Sequence, residues 1–345
     1  MRIIVTGGAG FIGSNFIRHR LSNRPDDHVR NVDLLTYAGD PRSLEDVAAA
    51  HPGRYSFTRA DIADAVALRA IVADFHPDLI VNFAAESHNS RAVLDPGAFV
   101  RTNVLGTQVL LEVAREAAVT RFHHISTCEV YGDLPLDSDA AFSEESPYLP
   151  RTPYNASKAS ADMLVRAYHH TFGLATTITN CANNYGPSQH PEKLIPLFTT
   201  NALGDLPLPL YRQSANRREW LHVLDHCRAI DTVLERGRIG ETYNVGSGDE
   251  RSIEQIADSI LEVLGKPSTL KTYVDDRPGH DRRYLLDRSK IGTELGWRPQ
   301  ITFDQGLRET VAWYGRNPAW WQPKKEALRR ELDEFAWRRP AVVAR

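Results

Sequence analysis

The first half of the chain alternates between short apolar runs and longer amphipathic stretches. Short runs rich in apolar and β-branched residues occur at residues 3–6, 29–34, 79–83 and 122–126, and the run at 79–83 is almost continuously apolar. Apolar residues recur at helical spacing between these runs, as in residues 14–22. Continuous apolar strands joined by helices are typical of a parallel sheet that is covered on both faces. The pattern therefore predicts an α/β fold with a doubly wound parallel sheet of the Rossmann type.

The regular alternation weakens after residue 185, where prolines cluster at Pro187, Pro191, Pro196, Pro207 and Pro209. We expect residues 1–185 to form the Rossmann domain and residues 186–325 to form mainly a smaller C-terminal α/β lobe. Residues 220–223 and 242–245 are expected to be strands that return to either unit. Residues 326–337 are charged and helical in pattern, and residues 338–345 resemble a loose tail.

Composition excludes several classes of protein. With 345 residues, of which 42% are hydrophobic and 25% charged, the chain can form an extensive core. Its net charge of −3 provides no general attraction for nucleic acid or for an anionic membrane. The sequence contains no apolar run long enough to cross a bilayer, and strand-like residues start at Arg2. We therefore expect a cytoplasmic protein whose partners include neither nucleic acid nor a membrane.

The cysteine content also indicates a cytoplasmic protein. Cys128, Cys181 and Cys227 are an odd number, and their spacing is not that of metal ligands. Free thiols are the expected state in a reducing compartment such as the cytoplasm. The sequence therefore predicts neither a disulfide framework nor a metal site.

A glycine-rich turn follows the first predicted strand and opens the first predicted helix. The segment is Gly7-Gly8-Ala9-Gly10-Phe11-Ile12-Gly13. Glycines in this context permit a tight turn and let the backbone approach a pyrophosphate, which the helix N-terminus attracts. The candidate cofactor-binding residues in this segment are Gly7, Gly10, Phe11, Ile12 and Gly13.

An acidic residue ends the second predicted strand. Asp33 lies twenty positions after Gly13, where a carboxylate can accept hydrogen bonds from both ribose hydroxyls and would repel a 2′-phosphate. NAD is therefore predicted as the cofactor in preference to NADP. Asp61 and Ile62 follow the next apolar segment and are predicted to meet the adenine edge, although Asp61 also fits a simple helix cap.

A tyrosine and a lysine lie four positions apart in a predicted helix, so they share one face. These are Tyr154 and Lys158, and Thr127 precedes them at the end of a buried strand. A lysine ammonium and a nicotinamide cation both stabilise a phenolate and lower the pKa of the tyrosine, which makes Tyr154 a candidate base beside the cofactor. Thr127 can share the proton of the substrate hydroxyl.

Further strings give the chain a resemblance to the extended short-chain dehydrogenase/reductase family. Over residues 1–315 it is most similar to dTDP-glucose 4,6-dehydratases within that family. Besides the glycine motif, the matching strings are Ala84-Ala85-Glu86-Ser87-His88, Asn103-Val104-Leu105-Gly106-Thr107, Glu129-Val130-Tyr131-Gly132, Asn183-Asn184-Tyr185-Gly186-Pro187, Pro191-Glu192-Lys193-Leu194-Ile195-Pro196, Arg218-Glu219-Trp220-Leu221-His222 and Asp276-Arg277-Pro278-Gly279-His280-Asp281.

The resemblance implies an enzyme that oxidises C4 of a nucleotide-linked sugar with NAD. It places Ala84 and Ala85 in the cofactor site of residues 1–185 and makes residues 186–325 a substrate-binding lobe. A dTDP- or UDP-linked sugar is the expected partner, since guanidinium and ammonium groups suit a diphosphate and an aromatic ring packs on a base. The residues assigned to the substrate are Ser87, Arg91, Asn183, Lys193, Leu194, Tyr211, Arg218, Arg277 and His280.

The resemblance also implies a homodimer in which two helices from each subunit form a four-helix interface. The candidate segments are residues 103–117 and 157–172. Sequence alone shows only that these segments are amphipathic. A face with Leu110, Val113 and Ala114 can equally pack inside its own monomer.

The strand end departs from the dehydratase pattern at one catalytic position. In the family this string is Thr-Asp-Glu, in which Asp is thought to protonate the departing C6 hydroxyl and Glu to remove the C5 proton. The string here is Thr127-Cys128-Glu129. A thiol with a pKa of ~8.5 is a poorer partner for this proton transfer than a carboxylic acid. The predicted catalytic residues are Tyr154, Lys158, Thr127, Glu129 and Cys128.

Two further departures point to a different reaction at C6. Asn89-Ser90 occurs where the family has an aspartate at the second place, and Arg151 lies three residues before Tyr154. With fewer acids and an added cation, the chain resembles NDP-glucuronate decarboxylases at these positions. In those enzymes an arginine would hold the sugar carboxylate. Oxidation at C4 makes a glucuronate a β-keto acid, so CO₂ can leave without an acid at C6. We therefore predict decarboxylation of an NDP-glucuronate to an NDP-4-keto-pentose or NDP-xylose.

Other hypotheses stay open. The main alternative is a dTDP-glucose 4,6-dehydratase or a related 5,6-dehydratase, because related dehydratases also resemble this chain at the altered positions. Arg151 also fits a surface residue of a proline-rich turn, and Cys128 also fits a small packing residue. A remote alternative is a non-catalytic NAD(H)-binding regulator on the same scaffold, which the presence of Thr127, Tyr154 and Lys158 opposes.

Overall fold

Strands and helices alternate along most of the chain, as the apolar pattern predicts. The computed structural model describes residues 1–212, 215–275 and 281–336. The strands in these residues are β1 (Arg2–Thr6), β2 (His28–Asp33), β3 (Tyr55–Arg59), β4 (Leu79–Asn82), β5 (Arg121–Thr127), β6 (Thr176–Cys181), β7 (Asn183–Tyr185), β8 (Leu208–Tyr211), β9 (Arg217–His222), β10 (Thr242–Val245), β11 (Glu250–Ser252) and β12 (Lys271–Val274). Every residue of β4 is buried, which explains its apolar sequence.

Seven of these strands form one parallel sheet in the order β10-β6-β5-β4-β1-β2-β3. The chain builds the sheet first on one side of β1 and then on the other, so the strand order reverses between β1 and β4. Ligands of open α/β sheets bind beyond the carboxyl ends of the strands at such a switch point. The predicted doubly wound Rossmann fold is confirmed, and it places a binding crevice next to the glycine-rich turn.

Some of the helices cover the two faces of the large sheet, and others belong to the C-terminal half. The α-helices in the described residues are α1 (Phe11–Asn23), α2 (Glu45–Ala50), α3 (Ala65–Phe75), α4 (Asn89–Leu94), α5 (Pro96–Phe99), α6 (Thr107–Glu116), α7 (Pro153–Phe172), α8 (Leu194–Leu203), α9 (Val223–Arg236), α10 (Ile253–Leu264), α11 (Ser289–Leu295), α12 (Phe303–Arg316) and α13 (Pro318–Ala336). One apolar cluster joins α3, α6 and α7 to the sheet, and another joins α1 and α9 to it. Within the described ranges, no helix is both long and apolar enough to span a membrane.

The remaining strands form two small sheets in the C-terminal half. Strand β9 pairs with β7 and β11, and β8 pairs with β12. Helices α8, α10 and α12 pack around them in an apolar cluster that includes Phe198, Trp220 and Leu307. Residues 217–222 thus lie in a small sheet as β9, whereas residues 242–245 return to the large sheet as β10. The domain limits at residues 185 and 325 stay predictions.

The C-terminal helix begins earlier than the charged segment 326–337 suggested. Helix α13 starts at Pro318, which suits the first turn of a helix because its missing N–H needs no partner there. Nε1 of Trp320 anchors this start by donating a hydrogen bond to Oγ of Ser43 at 3.2 Å. The first turns are aromatic rather than charged, so a prediction from charge did not find them. Residues 337–345, which include the predicted tail, lie outside the described residues.

Candidate active site

A cavity lies at the carboxyl ends of the central strands, where the strand order reverses. All residues predicted to bind the cofactor line this cavity: Gly7, Gly10, Phe11, Ile12, Gly13, Asp33, Asp61, Ile62, Ala84, Ala85, Tyr154 and Lys158. Thr127 and Glu129 line it as well. The fold therefore brings the two sequence motifs and the strand end together, although they are far apart in the chain.

The glycine-rich turn has no room for side chains. Gly7 has a φ of +68°, and a Cβ there would lie 2.5 Å from the backbone nitrogen of Ala84. A Cβ on Gly13 would lie 2.4 Å from the carbonyl oxygen of Gly7. Helix α1 begins at Phe11, and the residue at its N-cap, Gly10, provides no side-chain cap. The turn therefore presents bare backbone and a helix N-terminus to the cavity, which suits a pyrophosphate.

Asp33 places its carboxylate at the end of β2. Its Oδ2 accepts a hydrogen bond from the backbone nitrogen of Ala9 at 3.0 Å, and its Oδ1 accepts one from that of Leu35 at 2.8 Å. Burial raises the pKa of this carboxyl, while the two N–H donors lower it. The sequence motif did not identify the loop that continues the cavity wall beyond Asp33, namely Leu34, Thr36, Ala38 and Gly39.

Asp61 lies at the cavity and does not cap a helix, since the cap of α3 is Asp64. It lines the cavity together with Ile62. Its Oδ1 also caps a turn by accepting a hydrogen bond from the backbone nitrogen of Ala63 at 2.8 Å. Its Oδ2 accepts a hydrogen bond from Nη2 of Arg101 at 2.5 Å. Both oxygens of Asp61 are therefore held in fixed positions beside the cavity.

Helix α7 presents Tyr154 and Lys158 to the cavity from its first two turns. Pro153 is its first residue, and Thr152 caps it by accepting a hydrogen bond from the backbone nitrogen of Asn155 at 3.2 Å. The side chains of Tyr154 and Lys158 are both buried. Their four-residue spacing puts them on one face of the helix, as the sequence predicts.

Lys158 lies in a buried polar network that the motif alone did not reveal. Its Nζ donates a hydrogen bond to the carbonyl oxygen of Ile125 at 2.6 Å and lies 3.1 Å from Nε2 of His124. Asp162, one turn further along α7, accepts a hydrogen bond from Oγ of Ser126 at 2.7 Å. Burial lowers the pKa of Lys158 to about 8, and Asp162 acts in the opposite direction. The network fixes the lysine at the end of β5.

Burial reverses the expected direction of the pKa shift at Tyr154. Burial and then the charge of Glu129 raise the pKa of Tyr154 well above its usual range, whereas a hydrogen bond with Thr127 lowers it. The sequence motif shows the nearby cation but not the burial of the phenol. Tyr154 is therefore a neutral phenol in the protein alone, and additional positive charge in the cavity would favour its action as a base.

The strand end Thr127-Cys128-Glu129 directs two of its three side chains to the cavity. Cys128 does not line the cavity. It is only 1% exposed and packs in an apolar cluster with Val130 and Tyr131. Burial, followed by the charge of Glu129, raises the pKa of the Cys128 thiol well above its usual value. Cys128 is thus a packed, neutral thiol, and its position does not favour the predicted catalytic role.

Arg151 lies at the surface rather than in the cavity. Its side chain is 51% exposed, and Nη1 lies 2.8 Å from Oδ2 of Asp133 and 3.7 Å from Oδ1 of Asp281. Arg151 does not line the cavity. This placement matches a surface residue of a proline-rich turn, and it does not favour the predicted role of holding a sugar carboxylate.

The predicted substrate-binding residues fall into three groups. Those that line the cavity are Ser87, Asn183 and Lys193. The structure describes four others that do not line it, namely Arg91, Leu194, Tyr211 and Arg218. Arg277 and His280 lie outside the described residues. Nζ of Lys193 donates a hydrogen bond to the carbonyl oxygen of Ser87 at 2.8 Å, so one cation is fixed at the cavity wall.

The two described arginines of this set are held by protein groups. Nε of Arg91 lies 3.1 Å from Oε2 of Glu192, and the guanidinium carbon is 3.7 Å from the centre of the Tyr37 ring. Arg218 is 6% exposed, and its Nη2 donates a hydrogen bond to the carbonyl oxygen of Asp281 at 2.5 Å. Neither arginine is on the cavity wall, so their roles toward a substrate stay predictions.

Asn103 connects the loop after β4 to the catalytic helix, a role that its matching string did not reveal. Its Nδ2 donates hydrogen bonds to the carbonyl oxygen of Glu86 at 3.0 Å and to Oγ of Ser157 at 2.8 Å. Asn103 lies in a π-helical segment, Val100–Gly106. Such segments are frequent at functional sites. Further cavity residues outside the matching strings are Cys181, Gln189 and His190, and Glu192 lies in a matching string but had no assigned role.

Comparison with known proteins agrees with this geometry. The sequence pattern of the GDP-mannose 4,6 dehydratase family matches residues 4–310. The chain is 50% identical over 343 residues to a dTDP-glucose 4,6-dehydratase of Shigella flexneri, which covers 93% of this chain and 94% of that one. A dTDP-glucose 4,6-dehydratase of Streptomyces niveus is also 50% identical, over 329 residues that cover 94% of this chain and 96% of its own.

A solved structure extends the similarity to three dimensions. It is a dTDP-glucose 4,6-dehydratase of Streptomyces venezuelae with NAD bound, and it is 49% identical to this chain. It superposes with a TM-score of 0.90, covering 94% of this chain and 100% of that one. The chain therefore belongs to the GDP-mannose 4,6 dehydratase family, within the extended short-chain dehydrogenases/reductases.

Proposed function

We propose that the protein is an NAD-dependent dTDP-glucose 4,6-dehydratase, which converts dTDP-glucose to dTDP-4-keto-6-deoxyglucose and water. One observation carries the proposal: Thr127, Glu129, Tyr154 and Lys158 meet at one cavity in a chain that is 50% identical to enzymes of that name. The proposal keeps the predicted oxidation at C4 and replaces the predicted decarboxylation at C6 with loss of water.

The residues of the cavity fit NAD. The bare glycine turn suits the pyrophosphate, and the carboxylate of Asp33 suits ribose hydroxyls and disfavours a 2′-phosphate. Bound NAD would accept the hydride from C4 and return it to C6, so that the sugar undergoes no net oxidation. NAD is also bound in the solved structure of the Streptomyces venezuelae relative.

Oxidation at C4 is assigned to Tyr154. The phenolate of Tyr154 removes the proton of the C4 hydroxyl and becomes the phenol, and Thr127, which shares a hydrogen bond with Tyr154, helps to hold that hydroxyl. The ammonium of Lys158, fixed by the carbonyl of Ile125, supplies positive charge that stabilises the phenolate. The resulting 4-keto group makes the proton on C5 acidic.

Elimination is assigned to Glu129. Its carboxylate removes the proton from C5, and the protonated carboxyl then delivers this proton to the C6 hydroxyl, which leaves as water. Hydride addition at C6 and proton uptake from solvent at C5 complete the product. We assign both proton transfers to this one carboxyl, because the neighbouring side chain, Cys128, is a buried, neutral thiol.

Decarboxylation of an NDP-glucuronate has less support. It would need a cation beside the C6 carboxylate, and Arg151, the residue predicted for this role, pairs with Asp133 at the surface. The relatives at 50% identity are dTDP-glucose 4,6-dehydratases by name. The position of Arg151 and these relatives both favour dehydration.

Product analysis tests the proposal. Purified protein is incubated separately with dTDP-glucose, UDP-glucose and UDP-glucuronate, and the products are identified by mass spectrometry and NMR. We expect dTDP-glucose to lose water and form a 4-keto-6-deoxy sugar, with UDP-glucuronate unchanged. Loss of CO₂ from UDP-glucuronate would favour the decarboxylase, a 5,6-ene product would favour 5,6-dehydration, and no turnover of any sugar would favour a binding protein.

The two departures from the dehydratase pattern are expected to matter little for turnover. Cys128→Ala and Arg151→Ala should each change kcat with dTDP-glucose by less than about tenfold, because neither side chain lines the cavity. Arg151→Ala removes an exposed cation from the buried carboxylate of Asp133, which keeps its hydrogen bonds from the backbone nitrogens of Arg282 and Arg283, and it should lower the unfolding free energy by about 1 kcal/mol. Steady-state kinetics and denaturant unfolding measure both effects. A loss of kcat well beyond tenfold in Cys128→Ala would assign the thiol a direct role.

A homodimer is also proposed, since large apolar side chains are exposed on and beside the predicted interface segments. They are Val93, Leu94, Val100, Leu105, Met163 and Phe172. Exposed apolar residues concentrated in this way are typical of a protein interface.

We expect Leu105→Glu combined with Met163→Glu to convert a dimer to a monomer in analytical ultracentrifugation. Val66→Glu on α3, also exposed, is the control that should remain dimeric, and a monomeric unmodified protein would contradict the proposal.

A further inference from the structure

Asn89 lies between Glu129 and the cap of helix α7. Its Nδ2 donates a hydrogen bond to Oε2 of Glu129 at 2.9 Å, and its Oδ1 accepts one from Oγ1 of Thr152 at 2.7 Å. Oγ1 of Thr152 in turn accepts a hydrogen bond from the backbone nitrogen of Asn155 in the first turn of α7. A continuous chain of three hydrogen bonds therefore connects Glu129 to the helix that carries Tyr154.

We propose that Asn89 is a positioning residue that holds the carboxylate of Glu129 for proton transfer at C5 and C6, an inference that rests on the proposed dehydratase function. The direction of every bond in the chain is fixed. The carboxylate of Glu129 can only accept, so Nδ2 of Asn89 faces it, and Oδ1 of Asn89 therefore accepts the hydroxyl proton of Thr152. The amide of Asn89 is thus oriented with its oxygen toward Thr152 and its nitrogen toward Glu129.

This arrangement leaves one carboxylate oxygen of Glu129 for the substrate. The N–H of Asn89 occupies Oε2, and a hydrogen bond from a neutral donor to an ionised carboxylate is stronger than one between neutral groups. Asn89 does not itself line the cavity, whereas Glu129 does. Asn89 therefore acts through Glu129 rather than on the sugar.

The surroundings of Glu129 explain why a fixed donor is useful. Its neighbour Cys128 is a buried thiol that packs against apolar residues. A second carboxyl, that of Asp281, is close: burial mainly raises its pKa, and the charge of Glu129 raises it further. The hydrogen bond from Nδ2 of Asn89 holds Oε2 of Glu129 in place beside this second carboxyl.

The test separates hydride transfer from elimination in the full-length protein with NAD. Asn89→Leu keeps the approximate size of the side chain and removes the donor. In a single turnover with dTDP-glucose, we expect NADH formation within about threefold of the unmodified protein and elimination slower by about tenfold to hundredfold. Elimination is followed by the decay of NADH and by uptake of solvent deuterium at C5 of the product. KM should change little, since Asn89 does not line the cavity.

Two further variants distinguish positioning from a general structural effect. Asn89→Asp has the same shape but places a carboxylate against Glu129, and it should slow elimination at least as much as Asn89→Leu. Ser90→Ala alters the next, exposed residue and should leave both steps unchanged. If Asn89→Leu does not fold, Asn89→Asp provides the same measurement.

The outcomes separate this inference from the proposed function. Equal slowing of NADH formation and elimination in the Asn89 variants, or no slowing of either, would overturn the positioning role while unmodified protein still forms the 4-keto-6-deoxy sugar. Failure of the unmodified protein to remove water from dTDP-glucose would overturn the proposed function and this inference together. Selective slowing of elimination would support the inference.

Discussion

Replacement of Tyr154 with phenylalanine is expected to remove nearly all oxidation at C4. The variant keeps the ring that packs at the cavity wall but loses the hydroxyl that accepts the proton of the C4 hydroxyl. Loss of a general base of this kind slows a reaction by about 10²- to 10⁴-fold. NADH formation in a single turnover with dTDP-glucose measures this step, and KM should change much less than kcat.

Tyr168→Phe is the matched control for this prediction. Tyr168 lies on the same helix, α7, and its hydroxyl donates a hydrogen bond to Oε2 of Glu112 at 3.2 Å, away from the cavity. The control should retain NADH formation because only two peripheral hydrogen bonds are lost, the one to Glu112 and one that the hydroxyl accepts from Nε2 of Gln108 at 3.1 Å. A Tyr154→Phe protein that forms NADH at the normal rate would exclude Tyr154 as the base.

Replacement of Glu129 with glutamine is expected to stop the reaction after oxidation. The amide has nearly the shape of the carboxyl but cannot accept the proton from C5. NADH should therefore form normally and persist, while product formation falls by about 10²- to 10⁴-fold. Rapid-quench analysis should show a 4-keto sugar that still carries its C6 hydroxyl. This accumulation distinguishes a defect in elimination from a defect in oxidation.

Two further variants test whether the carboxylate of Glu129 itself carries out elimination. Glu129→Asp keeps a carboxylate on a shorter side chain and should restore part of the elimination rate. Cys128→Ala leaves Glu129 unchanged and should eliminate water at close to the normal rate. If Glu129→Gln releases product normally while Cys128→Ala does not, the roles assigned to these two neighbours are reversed.

The sequence predicted the sheet and the cofactor NAD, and the residues predicted to bind NAD line one cavity. Both depend on local patterns: an apolar strand, a glycine turn that a Cβ would block, and an acid at the end of β2. Each pattern has a direct geometric cause, as the 2.4 Å approach of a Gly13 Cβ to Gly7 illustrates. The spacing of Tyr154 and Lys158 likewise fixes their shared helix face.

The prediction was less successful at the sugar end of the site. The chemical character of Cys128 and Arg151 suggested decarboxylation, but chemistry at C6 depends on which side chains reach the cavity. Cys128 points into an apolar cluster, and Arg151 finds an acidic partner at the surface. These directions follow from packing between segments far apart in sequence, such as the loop at Asp133 and the start of α7.

Burial explains a second difference between the prediction from sequence and the structure, the direction of the pKa shift at Tyr154. The cations near Tyr154 suggested a lowered pKa, whereas loss of water around the phenol raises it. The contact between Asn89 and Glu129 was equally invisible, since the two residues are separated by β5 and the helices before it. The departure from the family pattern is the missing aspartate at the next position, Ser90, and the sequence assigns no role to Asn89 itself. The hydrogen bond of 2.9 Å gives Asn89 such a role.

The fate of the hydride at C4 tests the central claim most directly. dTDP-glucose with deuterium at C4 is converted by the purified protein in ordinary water, and the product is analysed by NMR and mass spectrometry. A 4,6-dehydratase should yield a product lighter by one water with the deuterium at C6, because one bound cofactor receives and returns the same hydride. Deuterium retained at C4, lost from the sugar, or found in a product that has not lost water would contradict the account.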